Sequence, residues 1–358
     1  MKNKPRAREI GIPFEGAPAA FNAITDVAGV EVGLTTLIAG GDCRTGVTII
    51  HPRGRENNAP VMAGFFSLNG NGEMTGMHWV EEGGFLEGPI GITNTHSVGV
   101  VRDAIIHWQV RHGKMLQPWS CPIVAETADG WLNNMNKFYV QPEHVWAALD
   151  NASGGSLPEG NVGGGTGMMC YQFKGGTGTS SRKLTAEEGG WTVGVLVQAN
   201  FGRRPQLQIA GIPVGKLITE ELPAVSGENP NEQGSIIIVV ATDAPLLPHQ
   251  LKRLARRAAM GLARTGSIAG NGSGDIFVAF STANADSVRA GDAVSTFDVL
   301  HNDRMDPLFH ATVHAAEEAI INALIAAETM RGRDGFTAYA LPHQRLRDIL
   351  QVHRRLVE

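Results

Sequence analysis

The chain has 358 residues, of which 42% are hydrophobic, and a formal net charge of −5. This length is enough for one large domain, or two of common size, with a sizeable core. The net negative charge argues against nucleic acid or an anionic membrane surface as a partner. The three cysteines, Cys43, Cys121 and Cys170, form no C-x-x-C pair and no complete disulfide set, and no apolar signal-peptide core follows the basic N-terminus. We therefore expect a soluble, cytoplasmic protein.

Short apolar and β-branched runs predict strands in the first two thirds of the chain. These strands are expected within 22–36 and over 47–51, 60–68, 121–125, 193–200 and 235–241. Helices are expected over 98–111, with Ser97 as N-cap, and over 142–149, with a proline in the first turn. We interpret the glycine-dense stretch 160–178 as two strand edges joined by tight turns. Residues 229–234 are expected to form a polar loop, and the preceding segment from Arg203, with its scattered prolines and glycines, is interpreted as a variable insertion.

Helices dominate the last third of the chain. A helix is expected over 248–264, where four apolar residues lie on one stripe and basic residues lie outside it. A strand over 275–280 follows, then a long helix over 306–330 and a last amphipathic helix over 342–356. Because the strands cluster centrally and the long helices come late, we predict a single-domain, layered α/β sandwich over residues 1–358.

The stretch Gly-Asn-Gly-Ser-Gly-Asp at 270–275 is the first candidate for chemistry. Ser273 lies at the mouth of the predicted strand, and Gly272 before it lacks a Cβ, so the intervening carbonyl can be approached closely. Self-cleavage needs this arrangement, because the Ser273 hydroxyl would attack the Gly272 carbonyl. The new α-amine, with a reference pKa near ~8, would then serve as general base. The alternative is an ordinary glycine-rich turn before a strand.

Glu317 is the second candidate, because it lies on the apolar stripe of the long helix. A carboxylate there is costly unless it is paired, so it could orient the free amine of Ser273. The alternative is a structural partner for a buried arginine. Glu318, one step round the helix, is the substitute candidate.

His310, His314 and Glu317 have the i, i+4, i+7 spacing of a possible divalent-metal site on the same helix. The H-E-x-x-H pattern is absent, so we favour a solvated helix face and expect no metal and no other cofactor.

Three further residues could serve a hydrolase. Asn200 ends a predicted strand, and its amide could donate to an oxyanion, although strand-end asparagines are often turn residues. Tyr139 has a hydroxyl suited to the same task, or it is simply packed. Glu126 could bind a substrate ammonium or cap the next helix. Gly163 to Gly167 lack the Lys-Ser/Thr of a phosphate-binding loop and are interpreted as turns.

Several long motifs in order resemble the L-aminopeptidase/D-esterase family, which includes the β-aminopeptidases. They are Arg-Ala-Arg-Glu-Ile-Gly-Ile-Pro-Phe-Glu-Gly at 6–16, Asn-Ala-Ile-Thr-Asp-Val-Ala-Gly-Val-Glu-Val-Gly at 22–33, Gly-Asn-Val-Gly-Gly-Gly-Thr-Gly-Met at 160–168, Val-Leu-Val-Gln-Ala-Asn-Phe-Gly at 195–202, Ala-Thr-Asp-Ala-Pro-Leu at 241–246 and the hexapeptide at 270–275. The resemblance covers nearly the whole chain and is far more specific than any single glycine run.

The resemblance implies an αββα sandwich like that of N-terminal nucleophile hydrolases, with the strand connectivity that this family shares with ornithine acetyltransferase. It implies cleavage between Gly272 and Ser273 into an α chain, 1–272, and a β chain, 273–358, which stay together and assemble into oligomers. It implies Ser273 as nucleophile, Asn200 and Tyr139 as oxyanion donors, Glu126 near the substrate amine and a helix glutamate matching Glu317. The expected substrates are peptides, amides or esters with a free amine.

One feature departs from the family's pattern. Members also use a second serine two residues before the catalytic glutamate, whereas the residue two before Glu317 is Ala315. Either the helix is misaligned with the family or the accessory role is absent. The sequence favours a self-processing aminopeptidase. An acyltransferase of the ornithine acetyltransferase type and a non-cleaving small-molecule binding protein remain alternatives.

Overall fold

The computed structural model describes residues 4–223, 233–285, 287 and 293–357. Its helices are α1 (Met77–Gly83), α2 (Val98–Arg111), α3 (Pro142–Asp150), α4 (Val214–Leu217), α5 (Pro248–Arg264), α6 (Asp306–Ile325) and α7 (His343–Val352). Its strands are β1 (Glu31–Ala39), β2 (Cys43–His51), β3 (Val61–Ser67), β4 (Phe85–Leu86), β5 (Ile90–Thr93), β6 (Ile123–Glu126), β7 (Met169–Cys170), β8 (Phe173–Lys174), β9 (Gly176–Lys183), β10 (Thr192–Asn200), β11 (Gln233–Thr242), β12 (Gly272–Ser273), β13 (Ile276–Ser281), β14 (Met330–Arg331) and β15 (Thr337–Ala338).

Two sheets form the centre of the molecule. One has the order β1-β2-β5-β6, and the other has the order β4-β3-β13-β11-β10-β9, with β12 paired to β11. Apolar residues of both sheets form one buried cluster between them. A second cluster joins the larger sheet to α5, α6 and α7, and a third joins the smaller sheet to α2 and α3. The layers are therefore helix, sheet, sheet and helix, which confirms the predicted αββα sandwich.

The central strand β11 separates the two faces of the larger sheet. Ile236 and Ile238 belong to the cluster under the helices, whereas Ile237 and Val239 belong to the cluster between the sheets. Because side chains alternate along a strand, Ser235 at the start of this run faces the smaller sheet. Of the first residues of β11, Ser235 therefore lies in the layer between the two sheets and Ile236 lies under the helices.

Most predicted elements are present, with four corrections, the first being that the last helix ends at Val352 rather than at residue 356. The helix over 98–111 is confirmed, but the Ser97 hydroxyl donates to Asn94 Oδ1 and does not cap the helix. The long helix ends at Ile325 rather than at residue 330, and Met330 pairs with β15. The stretch 160–178 holds a 3-10 helix at Gly163–Gly167 before the hairpin β7–β8.

Some elements were not anticipated, and one prediction is outside the described part. Helix α1 and strands β4 and β5 lie in 77–93, where the sequence predicts no element. Of the polar loop predicted over 229–234, residues 229–232 lie outside the described residues. The cysteines Cys43, Cys121 and Cys170 are free thiols. No helix in the described ranges is both long enough and apolar enough to span a bilayer.

Candidate active site

Two Gly-Ser pairs lie side by side at one end of the larger sheet. Strand β12 runs parallel to the start of β11, so that Gly234 is paired with Ser273. Ser235 and Ser273 are both buried. The amide N–H of Gly274 donates to Ser235 Oγ over 3.0 Å. Each serine follows a glycine and stands where a strand of the larger sheet begins, so both have the features that the sequence analysis found only at Ser273.

Asn200 is the direct cross-strand neighbour of Ser235. The two residues are paired in the antiparallel register of β10 and β11. Directly opposite residues in such a pair have Cβ atoms about 4.5–5.5 Å apart on the same face. A Cβ on Gly234 would overlap the Asn200 carbonyl oxygen, so only glycine fits there. The Asn200 amide donates to Ala128 O and its Oδ1 accepts from Met169 N, both over 2.9 Å. These bonds fix the amide beside Ser235 and use one of its two N–H hydrogens.

Ser273 and Asp275 form a hydrogen-bonded pair beside the same strand. Ser273 Oγ donates to Asp275 Oδ1 over 2.6 Å, and that oxygen also accepts from Ile236 N over 3.1 Å. The carboxylate therefore touches the peptide bond that follows Ser235. The Asn71 side chain donates to Gly272 O over 2.8 Å, which holds the approach loop in place. A serine thus stands two residues before a buried carboxylate, both next to Ser235.

Glu126 lies close to this loop, at the end of β6. A methyl group on Gly72 would lie 3.0 Å from Gly274 Cα and 3.2 Å from Glu126 Oε1. Glu126 accepts from Glu73 N over 3.0 Å and from the Thr95 hydroxyl, and burial raises the pKa of its carboxyl. The next helical turn begins only at Met135, so Glu126 does not cap it. Ser235, Asn200, Ser273, Asp275 and Glu126 are called the inter-sheet site below.

Tyr139 has its hydroxyl hydrogen engaged elsewhere. It donates to Asp42 Oδ1 over 2.7 Å, and Lys137 pairs with the same carboxylate over 2.7 Å. The bond to Asp42 raises the pKa of the Tyr139 hydroxyl. Since a phenol has one hydrogen to donate, Tyr139 must leave Asp42 before it can stabilise an oxyanion. Its predicted role stays a prediction.

Glu317 lies in the outer helical layer. Helix α6 packs on the helix-covered face of the larger sheet, and Arg264 of α5 donates to Glu317 Oε2 over 2.5 Å. Burial raises the pKa of the Glu317 carboxyl. This arrangement favours the alternative stated above, an ion pair with an arginine, over orientation of a serine amine. Its neighbour Glu318 is fully buried and pairs with Arg8 and Arg182 over 2.9 and 2.8 Å.

The histidines of α6 lie on the same outer layer. His314 Nε2 is 3.3 Å from a carboxylate oxygen of Glu15, and the rings of His310 and His314 are 6.0 Å apart. Within the described ranges, no three His, Cys, Asp or Glu side chains converge as metal ligands.

Sequence reasoning missed Ser235 and Asp275. Ser235 was interpreted only as the first residue of a central strand, although it too follows a glycine and precedes a β-branched run. That repeated pattern was the signal that could have identified it. Asp275 was assigned to a strand, and only the folded loop brings its carboxylate onto the Ser273 hydroxyl.

Known proteins match this chain over nearly its whole length. A model of peptidase family S58 matches residues 22–338. The chain is 53% identical to the β-peptidyl aminopeptidase BapA of Sphingosinicella microcystinivorans, over 98% of this chain and 93% of that protein. It is 46% identical to the L-aminopeptidase D-Ala-esterase/amidase of Ochrobactrum anthropi, with a TM-score of 0.93 over 99% of this chain and all of that one. A β-aminopeptidase of a Burkholderia species is also 46% identical, with a TM-score of 0.90 over 97% and 99% of the chains.

These similarities confirm the resemblance that the motifs predicted, and they confirm the enzyme class. The Ochrobactrum structure is described as a prototype of the serine aminopeptidases and a new variant of the Ntn hydrolase fold. The αββα layers found here agree with that description. The chain therefore belongs to peptidase family S58 and is a hydrolase of the aminopeptidase type.

Proposed function

We propose that this protein cuts its own chain between Gly234 and Ser235 and then uses Ser235 as an N-terminal nucleophile in an aminopeptidase. The observation that carries this assignment is the register that sets Asn200 directly opposite Ser235. An asparagine amide is an established donor to oxyanions, and it must lie within hydrogen-bond reach of the attacked carbonyl. Ser273, the nucleophile predicted from the sequence, is paired instead with Asp275.

The cleavage step needs only the chain itself and water. Ser235 Oγ attacks the carbonyl carbon of Gly234, the C–N bond breaks, and the hydroxyl proton ends on the new α-amine. Water then hydrolyses the ester, which releases the Gly234 carboxylate and restores the Ser235 hydroxyl. The products are fragments 1–234 and 235–358.

The same hydroxyl then serves in turnover. The α-amine of Ser235 takes the hydroxyl proton while Oγ attacks the carbonyl after the substrate's N-terminal residue, and water releases the acyl-enzyme. Asn200 donates to the oxyanion and Glu126 accepts from the substrate ammonium. The substrates are peptides, amides or esters with a free amine, as the names of the Sphingosinicella and Ochrobactrum proteins suggest.

Ser273 and Asp275 take the accessory role that the sequence analysis could not assign. The family resemblance implies a serine two residues before a catalytic carboxylate, and Ser273 and Asp275 have this spacing with aspartate in place of glutamate. Asp275 already accepts a hydrogen bond from the backbone next to Ser235. Its charge would stabilise a nearby ammonium. The misfit at Ala315 then disappears, because the helix is not the segment to align.

Cleavage before Ser273, with chains 1–272 and 273–358, stays the second candidate. It is favoured by the Gly272 carbonyl, which is held by Asn71 beside the Ser273 hydroxyl. Assembly of cleaved pairs into oligomers and a cytoplasmic location also remain predictions that the family resemblance supports.

N-terminal sequencing of the smaller fragment separates the two nucleophiles. Cleavage before Ser235 gives the sequence Ser-Ile-Ile-Ile-Val, whereas cleavage before Ser273 gives Ser-Gly-Asp-Ile-Phe. We expect the first sequence from the purified wild type. Ser235→Ala should stay at full length by intact mass, whereas Ser273→Ala should still be cut, although more slowly.

The opposite pattern would move the nucleophile to Ser273. A folded wild type that remains uncut and releases no product from amino-acid amides would instead favour the binding-protein alternative. Acyl transfer to ornithine faster than hydrolysis would favour the transferase.

A further inference from the structure

Phe138 is an exposed aromatic residue in an unfavourable backbone conformation. It follows the 3-10 turn Met135–Lys137 with φ 49° and ψ 51°, the left-handed region. Glycine occupies such a position after a helical turn at no steric cost, whereas a bulky side chain there is uncommon and strained. The ring is nevertheless 56% exposed. Packing into the core therefore does not explain why phenylalanine stands there.

The surrounding backbone holds Phe138 in this conformation. Its N–H donates to Met135 O over 3.2 Å, and its carbonyl accepts from Gln141 Nε2 over 2.7 Å. Strained residues of this kind persist only when the neighbouring structure fixes them, and they concentrate at functional sites.

The ring is stacked on His96, which is also exposed. The ring centroids are 5.9 Å apart and the planes differ by 21°. The two stacked rings therefore form one exposed aromatic surface in which each ring supports the other. Side chains held in this way lose little freedom when a ligand contacts them, so they suit recognition.

This aromatic surface is adjacent to the inter-sheet site. His96 follows Thr95, whose hydroxyl donates to Glu126 Oε2. Glu126 in turn lies beside the Gly72–Gly274 contact, and Gly274 donates to Ser235 Oγ. His96 is thus the chain neighbour of the residue that is hydrogen-bonded to the proposed ammonium acceptor, and the Gly72–Gly274 loops connect that acceptor with the nucleophile.

We propose that the Phe138–His96 surface is the subsite for the side chain of the substrate's N-terminal residue, and that it selects aromatic side chains over small ones. This inference depends on the proposed function. A substrate held by its ammonium at Glu126 and its carbonyl at Ser235 must project its side chain sideways from the carbon between them. One exposed surface next to Glu126 is built from Thr95, His96 and Phe138, and the loop at Gly72 and Glu73 forms the other side. A planar apolar face there favours stacked or edge-on contact with a substrate ring.

The test is the preference between two substrates that differ only in the side chain. Release of ammonia from phenylalaninamide and alaninamide is measured, and the ratio of the two kcat/KM values is compared between variants. Simple amides avoid an aromatic leaving group that could itself contact Phe138. In Phe138→Ala we expect the ratio to fall at least about 5-fold toward alaninamide, as loss of an aromatic contact predicts. Phe138→Tyr, which keeps the ring, should retain the wild-type ratio.

The variant His96→Ala tests whether the Phe138 ring acts together with the His96 ring or alone. If the two rings act together, His96→Ala lowers the ratio, and the double variant lowers it no further than Phe138→Ala alone. Trp119→Ala is the matched control, since Trp119 is similarly exposed but lies on the loop after α2. It should keep the wild-type ratio.

Three results would overturn the proposal. If both kcat/KM values of Phe138→Ala stay at the wild-type level, the subsite is removed, and if both fall by the same factor, so that the ratio is unchanged, the residue is structural. Dissociation of Phe138→Ala into smaller species in sedimentation, with the ratio unchanged, would assign the ring to a subunit contact. A self-cleaved wild type that hydrolyses neither amide would contradict the proposed function itself, which is a different result from a change in preference.

Discussion

Glu317 and Asp275 are both buried carboxylates, yet their surroundings suit different tasks. Glu317 contacts Arg264 in the helical layer, whereas Asp275 contacts Ser273 and the backbone of Ile236 at the end of the larger sheet. Helix periodicity identified Glu317 as an unusual charge on an apolar stripe. It could not identify the partner, because Arg264 is 53 residues away on another helix.

We predict that Glu317→Gln changes turnover by no more than about 2-fold. The glutamine still accepts from Arg264, and an ion pair whose arginine is 45% exposed contributes little to stability.

Asp275→Asn should instead reduce turnover by ~10²-fold or more, because a neutral amide cannot stabilise the ammonium of Ser235. Hydrolysis of an amino-acid p-nitroanilide and thermal melting on the same preparations decide between the two carboxylates. A large loss in folded Glu317→Gln, with Asp275→Asn near wild type, would restore the assignment made from the sequence.

At the scale of elements, glycine on β9 allows α6 to approach the larger sheet. A Cβ on Gly178 would overlap Ala319 O and lie 2.7 Å from Ala323 N, both backbone atoms of α6. We therefore expect Gly178→Ala to lower the free energy of unfolding by at least about 2 kcal/mol. Gly99→Ala on α2 is the matched control, since no atom lies within 4 Å of its added Cβ. It should melt at or slightly above the wild-type temperature. If Gly178→Ala and the wild type have the same melting temperature, α6 can move away from β9 without a loss in the free energy of unfolding.

The helices and strands of the four layers can be predicted from the sequence, but contacts between loops that are distant in the sequence cannot. Periodicity gave α2 and α5 with their bounds, because their apolar stripes and terminal prolines or glycines are local signals. Helix α1 and strand β5 were missed because both are short, and because α1 lies between two glycines and β5 contains one. The contact of Gly72 with Gly274 is set by two loops some 200 residues apart. The Gly-Ser pattern at Ser235 is local and could have been found from the sequence, whereas the contacts of Asp275 with Ser273 and with the backbone after Ser235 exist only in the folded loop.

For the whole molecule, the proposed cut does not divide the structure into two bodies. The larger sheet takes β4, β3, β10 and β9 from before residue 234 and β13 and nearly all of β11 from after it. The two sets of strands are interleaved, because β13 pairs with β3 and β11 pairs with β10. The N-terminal segment adds a partly buried ion pair from Arg8 to Glu318 of α6. Separation of the fragments would require these strands to unpair, so we expect them to stay together after cleavage.

Asp129 makes the stability of the whole molecule depend on pH. It is fully buried, accepts from Asn133 Nδ2 over 3.0 Å, and desolvation raises its pKa from 3.8 to about 7. Between these two pH values the folded protein keeps a proton that the unfolded chain has released. Asp129 therefore lowers stability as the pH rises from about 4 to about 7, and above that range the full cost of a buried charge is present.

We predict that Asp129→Asn is stabilising at pH 8 and has little effect at pH 4.5. The amide keeps the acceptor for Asn133 and removes the charge, so the difference in melting temperature from wild type should grow by several degrees between these pH values. Glu159 has its pKa raised to about 7 and His51 has its pKa lowered to about 4. Glu159 and His51 are present in both proteins, so their pH-dependent contributions cancel when the melting temperatures of the variant and the wild type are compared at the same pH. Asp103→Asn, an exposed carboxylate, is the control and should show no such growth. A difference that stays constant or shrinks toward pH 8 would mean that Asp129 is ionised in the folded protein at low pH and has a charged partner.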